Sequence, residues 1–168
     1  MYKLYGQNSE IDENIYPYLC QNGMETIRSV FEILKGNATN IRPILELLKS
    51  FLQEWNGNII RKLKETEIVV LCDSLIDHLD NPDEEVRKLV MEILFTIRLD
   101  MALVFLEKMV NDSNLWNRIH LIELLERFCP ENLSTTLAPL LNDPEEMVRE
   151  RAQWVLTNYN NPSYSPMH

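Results

Sequence analysis

Apolar residues recur at helical spacing along most of the chain, and in its second half one pattern returns every 31 residues. Between Glu67 and Leu79 the apolar positions Leu71, Leu75, Ile76 and Leu79 fall on one helical face. Asp80-Asn81-Pro82 interrupts that face: Asn before Pro marks a turn, and Pro suits the first turn of a following helix, where its missing N–H is not needed. The spacing predicts a second helix from Asp83 to about Arg98, with Val86, Leu89, Val90, Ile93, Leu94 and Ile97 on its inner side. Asp83 and Glu84 then stand near its positive end.

A shift of 31 residues brings further columns into line. Leu75, Leu106 and Leu137 form one, and Leu79, Val110 and Leu141 the next. Asn81, Asp112 and Asp143 follow, then Pro82, Ser113 and Pro144. Arg87, Arg118 and Arg149 make the sharpest column. Behind it come Val90, Leu121 and Ala152, then Ile93, Leu124 and Val155, then Leu94, Leu125 and Leu156. One helix pair cannot cover such an apolar face alone, so neighbouring pairs are expected to stack.

The shared pattern, L-x-x-x-L-x-[DN]-P-[DE]-E-x-V-R-x-x-[VA]-x-x-[IV]-L, resembles the short bacterial HEAT-like repeat over about residues 68–157. The outer copies carry it as Pro82-Asp-Glu-Glu-Val-Arg87 and Pro144-Glu-Glu-Met-Val-Arg149. The middle copy, Ser113-Asn-Leu-Trp-Asn-Arg118, lacks both the Pro and the Val before Arg. The resemblance implies an all-α solenoid of stacked antiparallel helix pairs. It implies no activity, because such arrays serve many binding and scaffolding roles.

Upstream the pattern decays. Ile44, Leu48, Ile59 and Leu63 keep the apolar register, but Phe51 stands in the Pro column and Asn56 in the Arg column. Residues 40–65 are read as a divergent repeat, and residues 24–35 as an amphipathic helix ended by Gly36-Asn37. The expected organisation is a helical, capping N-terminal part over 1–66, three repeats over 67–158 and a disordered tail over 159–168, all in one structural domain.

Composition narrows the class. Glycine occurs only 4 times, which disfavours a turn-rich β fold. The only long apolar run, residues 68–72, is far too short for a bilayer, and the N-terminus lacks the apolar stretch of a secretory signal. A soluble, cytoplasmic protein is expected. Cys20, Cys72 and Cys129 are odd in number and scattered, so they give no disulfide framework and read as small core side chains. Of the net charge of −10, none arises in residues 1–66, where 8 acidic and 8 basic residues cancel; residues 67–168 hold 18 acidic and 8 basic. Such a surface repels phosphate backbones and anionic membranes and favours a basic protein partner.

The candidate site residues follow from these columns. Arg87, Arg118 and Arg149 are read as structural, paired with the Asn81, Asp112 and Asp143 column of their own or the adjacent repeat. Asp83, Glu84, Glu85, Glu145 and Glu146 cluster at the turns, where they cap helices and, stacked at a fixed period, form an acidic stripe. Glu92, Glu123 and Trp154 share one column, and Glu85, Trp116 and Met147 another. Columns that are charged in one copy and aromatic in the next belong outside the core, so Trp116 and Trp154 are candidate anchors, with Glu126 nearby. Two alternatives stay open: the tail covers Trp154, or Trp116 packs within the irregular middle turn.

No metal-ligand spacing surrounds His78, His120 or His168, and no phosphate loop or nucleophile elbow is present. No cofactor, metal or catalytic residue is expected. The function these features favour is a non-enzymatic module that sequesters a basic protein, in its most specific form an immunity protein neutralising a nuclease-type bacterial toxin. The alternatives are a HEAT-repeat scaffold or assembly subunit and, less favoured, a helical-repeat enzyme such as a lyase or nucleic-acid-modifying protein. An enzyme acting on nucleic acid would need a basic face.

Overall fold

A computed structural model describes residues 23–36, 40–54 and 63–159. Cys20, Asn37, Asn56, Ile59, His168 and the 160–168 tail, each given a role above, lie outside the described residues. The described chain is all-α, and none of its helices is long and apolar enough to cross a membrane. The chain divides into two units, residues 1–97 and 98–168, so the division falls after the first 31-residue period and not ahead of it.

The first unit holds α1 (Gly23–Lys35), α2 (Arg42–Glu54), α3 (Glu65–Ile76) and α4 (Glu84–Ile97). A 3-10 turn, Asp77–Asp80, follows α3. α2 packs most extensively against α4, and α1 against α2 and α3. The core joins Ile27, Leu45, Leu48 and Phe51 to Leu71, Leu75, Val90 and Leu94, all fully buried. All six residues expected on the inner side of α4 are buried. Leu48 and Leu63 of the divergent segment are buried, and Ile44 is half-buried. Across α1 and α3, Arg28 Nε donates to Glu67 Oε1 at 3.0 Å, and Glu67 Oε2 accepts the Lys64 N–H that opens α3.

The second unit holds α5 (Leu99–Val104), α6 (Leu106–Val110), α7 (Leu115–Phe128), α8 (Leu133–Leu137) and α9 (Glu146–Tyr159). The segment between Arg98 and Val110 breaks at Phe105 into two short helices, its N–H turning back to the Ala102 carbonyl at 3.1 Å. The segment before α9 tightens into a 3-10 turn over Ala138–Asn142, where Pro139 removes a helical donor. By contrast α4, α7 and α9 are 14 residues each, and both their first and last residues step by 31. The core of this unit comprises Leu121, Ile122, Leu125, Leu137, Val148, Ala152 and Val155.

Candidate functional site

The turn before each of these three helices is closed the same way. Asn81 Oδ1 accepts the Asp83 N–H at 3.0 Å, Asp112 Oδ1 that of Asn114 at 2.8 Å, and Asp143 Oδ1 that of Glu145 at 2.9 Å. The arginine six residues on donates Nη1 to the backbone carbonyl of the same residue: Arg87 to Asn81 at 2.8 Å, Arg118 to Asp112 at 2.7 Å and Arg149 to Asp143 at 2.7 Å. Side chain and carbonyl of one residue are thus both satisfied, and the chain is held in one path into the helix. This clasp fixes the helix start, which is why the three helices keep one register.

Arg118 makes a further contact. Its Nε and Nη2 grip Asp143 Oδ2 and Oδ1 at 2.7 and 2.9 Å, a bidentate pair buried on both sides. Burial alone raises the Asp143 pKa, but the hydrogen bonds from Arg118 and from the Glu145 N–H outweigh it and hold the carboxyl below its ordinary value. Asp112, also buried, accepts from Asn117 Nδ2 at 3.2 Å. Each arginine therefore reaches the carbonyl of its own turn, and Arg118 also holds a carboxylate of the following turn.

The expected acidic surface is only partly free. Glu92 is mostly covered and forms an ion pair with Lys49 of α2. Asp83 and Glu85 are half-buried and lie within electrostatic reach of Arg42, also on α2, whose pKa is raised chiefly by its hydrogen bond to Glu46. Asp83 Oδ1 also caps α4 through the Glu85 N–H at 2.9 Å. Glu92 is thus corrected from an exposed position to one packed on α2. Glu126 is corrected likewise: it is 5% exposed, and Arg151 Nη2 approaches it at 3.4 Å. Its pKa is raised, first by burial, with Arg151 opposing and Glu123 assisting. Glu84, Glu123, Glu145 and Glu146 are exposed, Glu123 accepting from His120 Nδ1 at 3.1 Å when that nitrogen carries the proton.

Both candidate anchors, Trp116 and Trp154, face solvent. Trp116, the second residue of α7, is 61% exposed; Met147, the second residue of α9, is 51% exposed; and α7 packs against α9. Trp154 is 44% exposed and carries the Arg151 guanidinium 4.8 Å from its ring centre. Asn114 caps α7 by accepting from the Trp116 and Asn117 N–H groups, so Trp116 is not needed to complete the turn. Among the described residues no group of three His, Cys, Asp or Glu side chains is placed to hold a metal ion. Cys72 and Cys129 are buried thiols, and burial raises the Cys129 pKa.

Sequence reasoning missed Lys49 and Arg42 as neutralising partners, and Arg151 as the cation between Glu126 and Trp154. The last had a signal: Arg118–Asp143 and Glu126–Arg151 both join residues 25 apart, so opposite charges at that separation mark contacts between successive 31-residue segments. Comparison of the chain with family models, with curated proteins and with solved structures finds no match in any of the three.

Proposed function

We propose that this chain is a non-enzymatic protein-binding module of HEAT-like helix pairs that sequesters a basic protein partner. In its most specific form the reading makes it an immunity protein that occupies the phosphate-binding surface of a nuclease-type toxin. The observation that carries the proposal is the edge of the second unit. There Trp116 and Met147 stand exposed at equivalent positions of two packed helices, with Glu145, Glu146 and Glu150 exposed beside Met147. The arginines of that edge, Arg118 and Arg149, spend their Nη1 groups on backbone carbonyls. An apolar anchor rimmed by carboxylates fits a cationic face carrying aliphatic or aromatic side chains.

A scaffold role without a basic partner would use the same fold, and partner charge separates the two. The test is to capture binding proteins on immobilised full-length chain and elute with a salt gradient. Sequestration predicts one basic protein released only at high salt, and its loss on Trp116→Ala. A neutral partner, or elution indifferent to salt, would sink the reading.

A further inference from the structure

The stripe of α7 bearing Arg118, Ile122 and Glu126 is the seat of the next helix pair. Arg118 grips Asp143, Glu126 meets Arg151, and all three stripe residues are buried. Residues four apart share a helix face, so the stripe is continuous. A step of 31 leads to Arg149, Gln153 and Thr157 of α9. With Leu141, Glu150 and Trp154 they line an open groove of about 530 Å3. Arg149 Nη1 is committed to the Asp143 and Pro144 carbonyls, at 2.7 and 2.8 Å. Its Nε and Nη2 edge, which in Arg118 holds a carboxylate, meets none among the described residues.

We propose that this face of α9 docks a helix pair from a partner protein, whose turn offers an Asp carboxylate to Nε and Nη2 of Arg149. The template is internal: the chain seats its own 129–159 segment on the equivalent face of α7 through that contact. Charge complementarity identifies the incoming group, since among the described residues the Nε and Nη2 edge of Arg149, a planar donor, meets no carboxylate. The seat differs from its template at Glu150 and Trp154, which stand where α7 has Ile119 and Glu123, and at two residues of the stripe itself. Ile122 and Glu126 are replaced by Gln153 and Thr157, and Gln153 Nε2 donates to Thr157 Oγ1 at 3.2 Å. These two need nothing from the partner, and the apolar contact moves to Leu141 and Trp154. The partner helix should therefore carry an apolar side chain against Trp154. Glu150 rims both this groove and the Met147 surface, but the Arg149, Gln153 and Thr157 stripe includes neither Met147 nor Trp116, and the inference does not depend on the basic-partner reading.

A labelled synthetic peptide of residues 129–159, held helical by a staple between the exposed positions 146 and 150 and checked for helicity by circular dichroism, is titrated with full-length protein and followed by fluorescence anisotropy. Saturable binding is expected. It should weaken at least about tenfold with an Asp143→Asn peptide or an Arg149→Ala chain, the loss of one charge-assisted pair. Because Arg149→Ala also loosens a turn, Gln153→Glu serves as a second variant. It is exposed, should leave the melting temperature unchanged, and should repel the incoming carboxylate to similar effect. Trp116→Ala should bind the peptide normally, which separates this face from the basic-partner surface. No saturable binding, or binding indifferent to Asp143, Arg149 and Gln153, overturns the proposal and leaves the Gln153–Thr157 stripe as a water-facing cap.

Discussion

Arg118 and Arg149 hold equivalent places in the sequence but unequal ones in the structure. Arg149 bonds two carbonyls and is half-exposed, whereas Arg118 is buried and holds a buried carboxylate as well. Removing one partner of a buried ion pair strands the other in a medium that solvates it poorly. Arg118→Ala is therefore expected to cost about 3–5 kcal/mol of folding stability, and Arg149→Ala about 1–2 kcal/mol. Urea unfolding of both variants checks the order, and equal losses would contradict it. The same pair sets a pH dependence. Asp143 titrates lower in the folded than in the unfolded state, so its contribution is complete above the ordinary carboxylate value of 3.8. That contribution is lost as the pH falls through the folded value. Asp143→Asn should therefore destabilise strongly near neutrality, and its deficit against wild type should shrink as the pH is lowered below 3.8. The arginine column was legible in the sequence because its spacing is invariant. That Arg118 adds a carboxylate to its clasp was not, because the contact depends on a residue 25 positions away.

Helix starts are the elements that the sequence defined best. The same Asx turn and arginine clasp precede α4, α7 and α9, and the middle copy forms both without the proline of its neighbours. Asn114 supplies what that proline does not, by capping two N–H groups of α7. Asn114→Ala should lower stability by about 1 kcal/mol, measured by thermal unfolding; a neutral result would assign the start of α7 to the clasp alone. The segments that precede α4, α7 and α9 were less legible. The apolar columns predict their inner face but not the break at Phe105 or the 3-10 turn at Ala138–Asn142, which local backbone preferences decide. The contact between α2 and α4 was not legible either. Glu92 looked exposed because its column holds Glu123 and Trp154, yet Lys49 of the divergent segment lies against it. Glu92→Lys should accordingly lower the melting temperature by setting two cations together. Adding Lys49→Glu should restore most of the loss, and failure of that swap would mean the pair contributes little.

At the scale of the whole chain, the zero net charge of residues 1–66 takes on a role. Arg42 and Lys49, two of its basic residues, face Asp83, Glu85 and Glu92, so part of the acidic excess after residue 66 is neutralised within the first unit. A charge sum by segment cannot reveal this, because it ignores which helices meet. In the second unit, exposed carboxylates cluster around the exposed Met147. Under the proposed function these groups and Trp116 should act on different steps of binding. Long-range attraction governs encounter, and desolvated anchors govern residence. Glu145→Gln with Glu146→Gln should slow association with a basic partner and flatten its salt dependence, with little change in dissociation. Trp116→Ala should speed dissociation by about tenfold or more while leaving the salt slope intact. Both positions are exposed, so the stability of either variant should stay within about 0.5 kcal/mol of wild type. Stopped-flow or surface kinetics across a salt series separates the two effects; if both variants altered the same rate constant, the division between steering acids and an apolar anchor would be wrong.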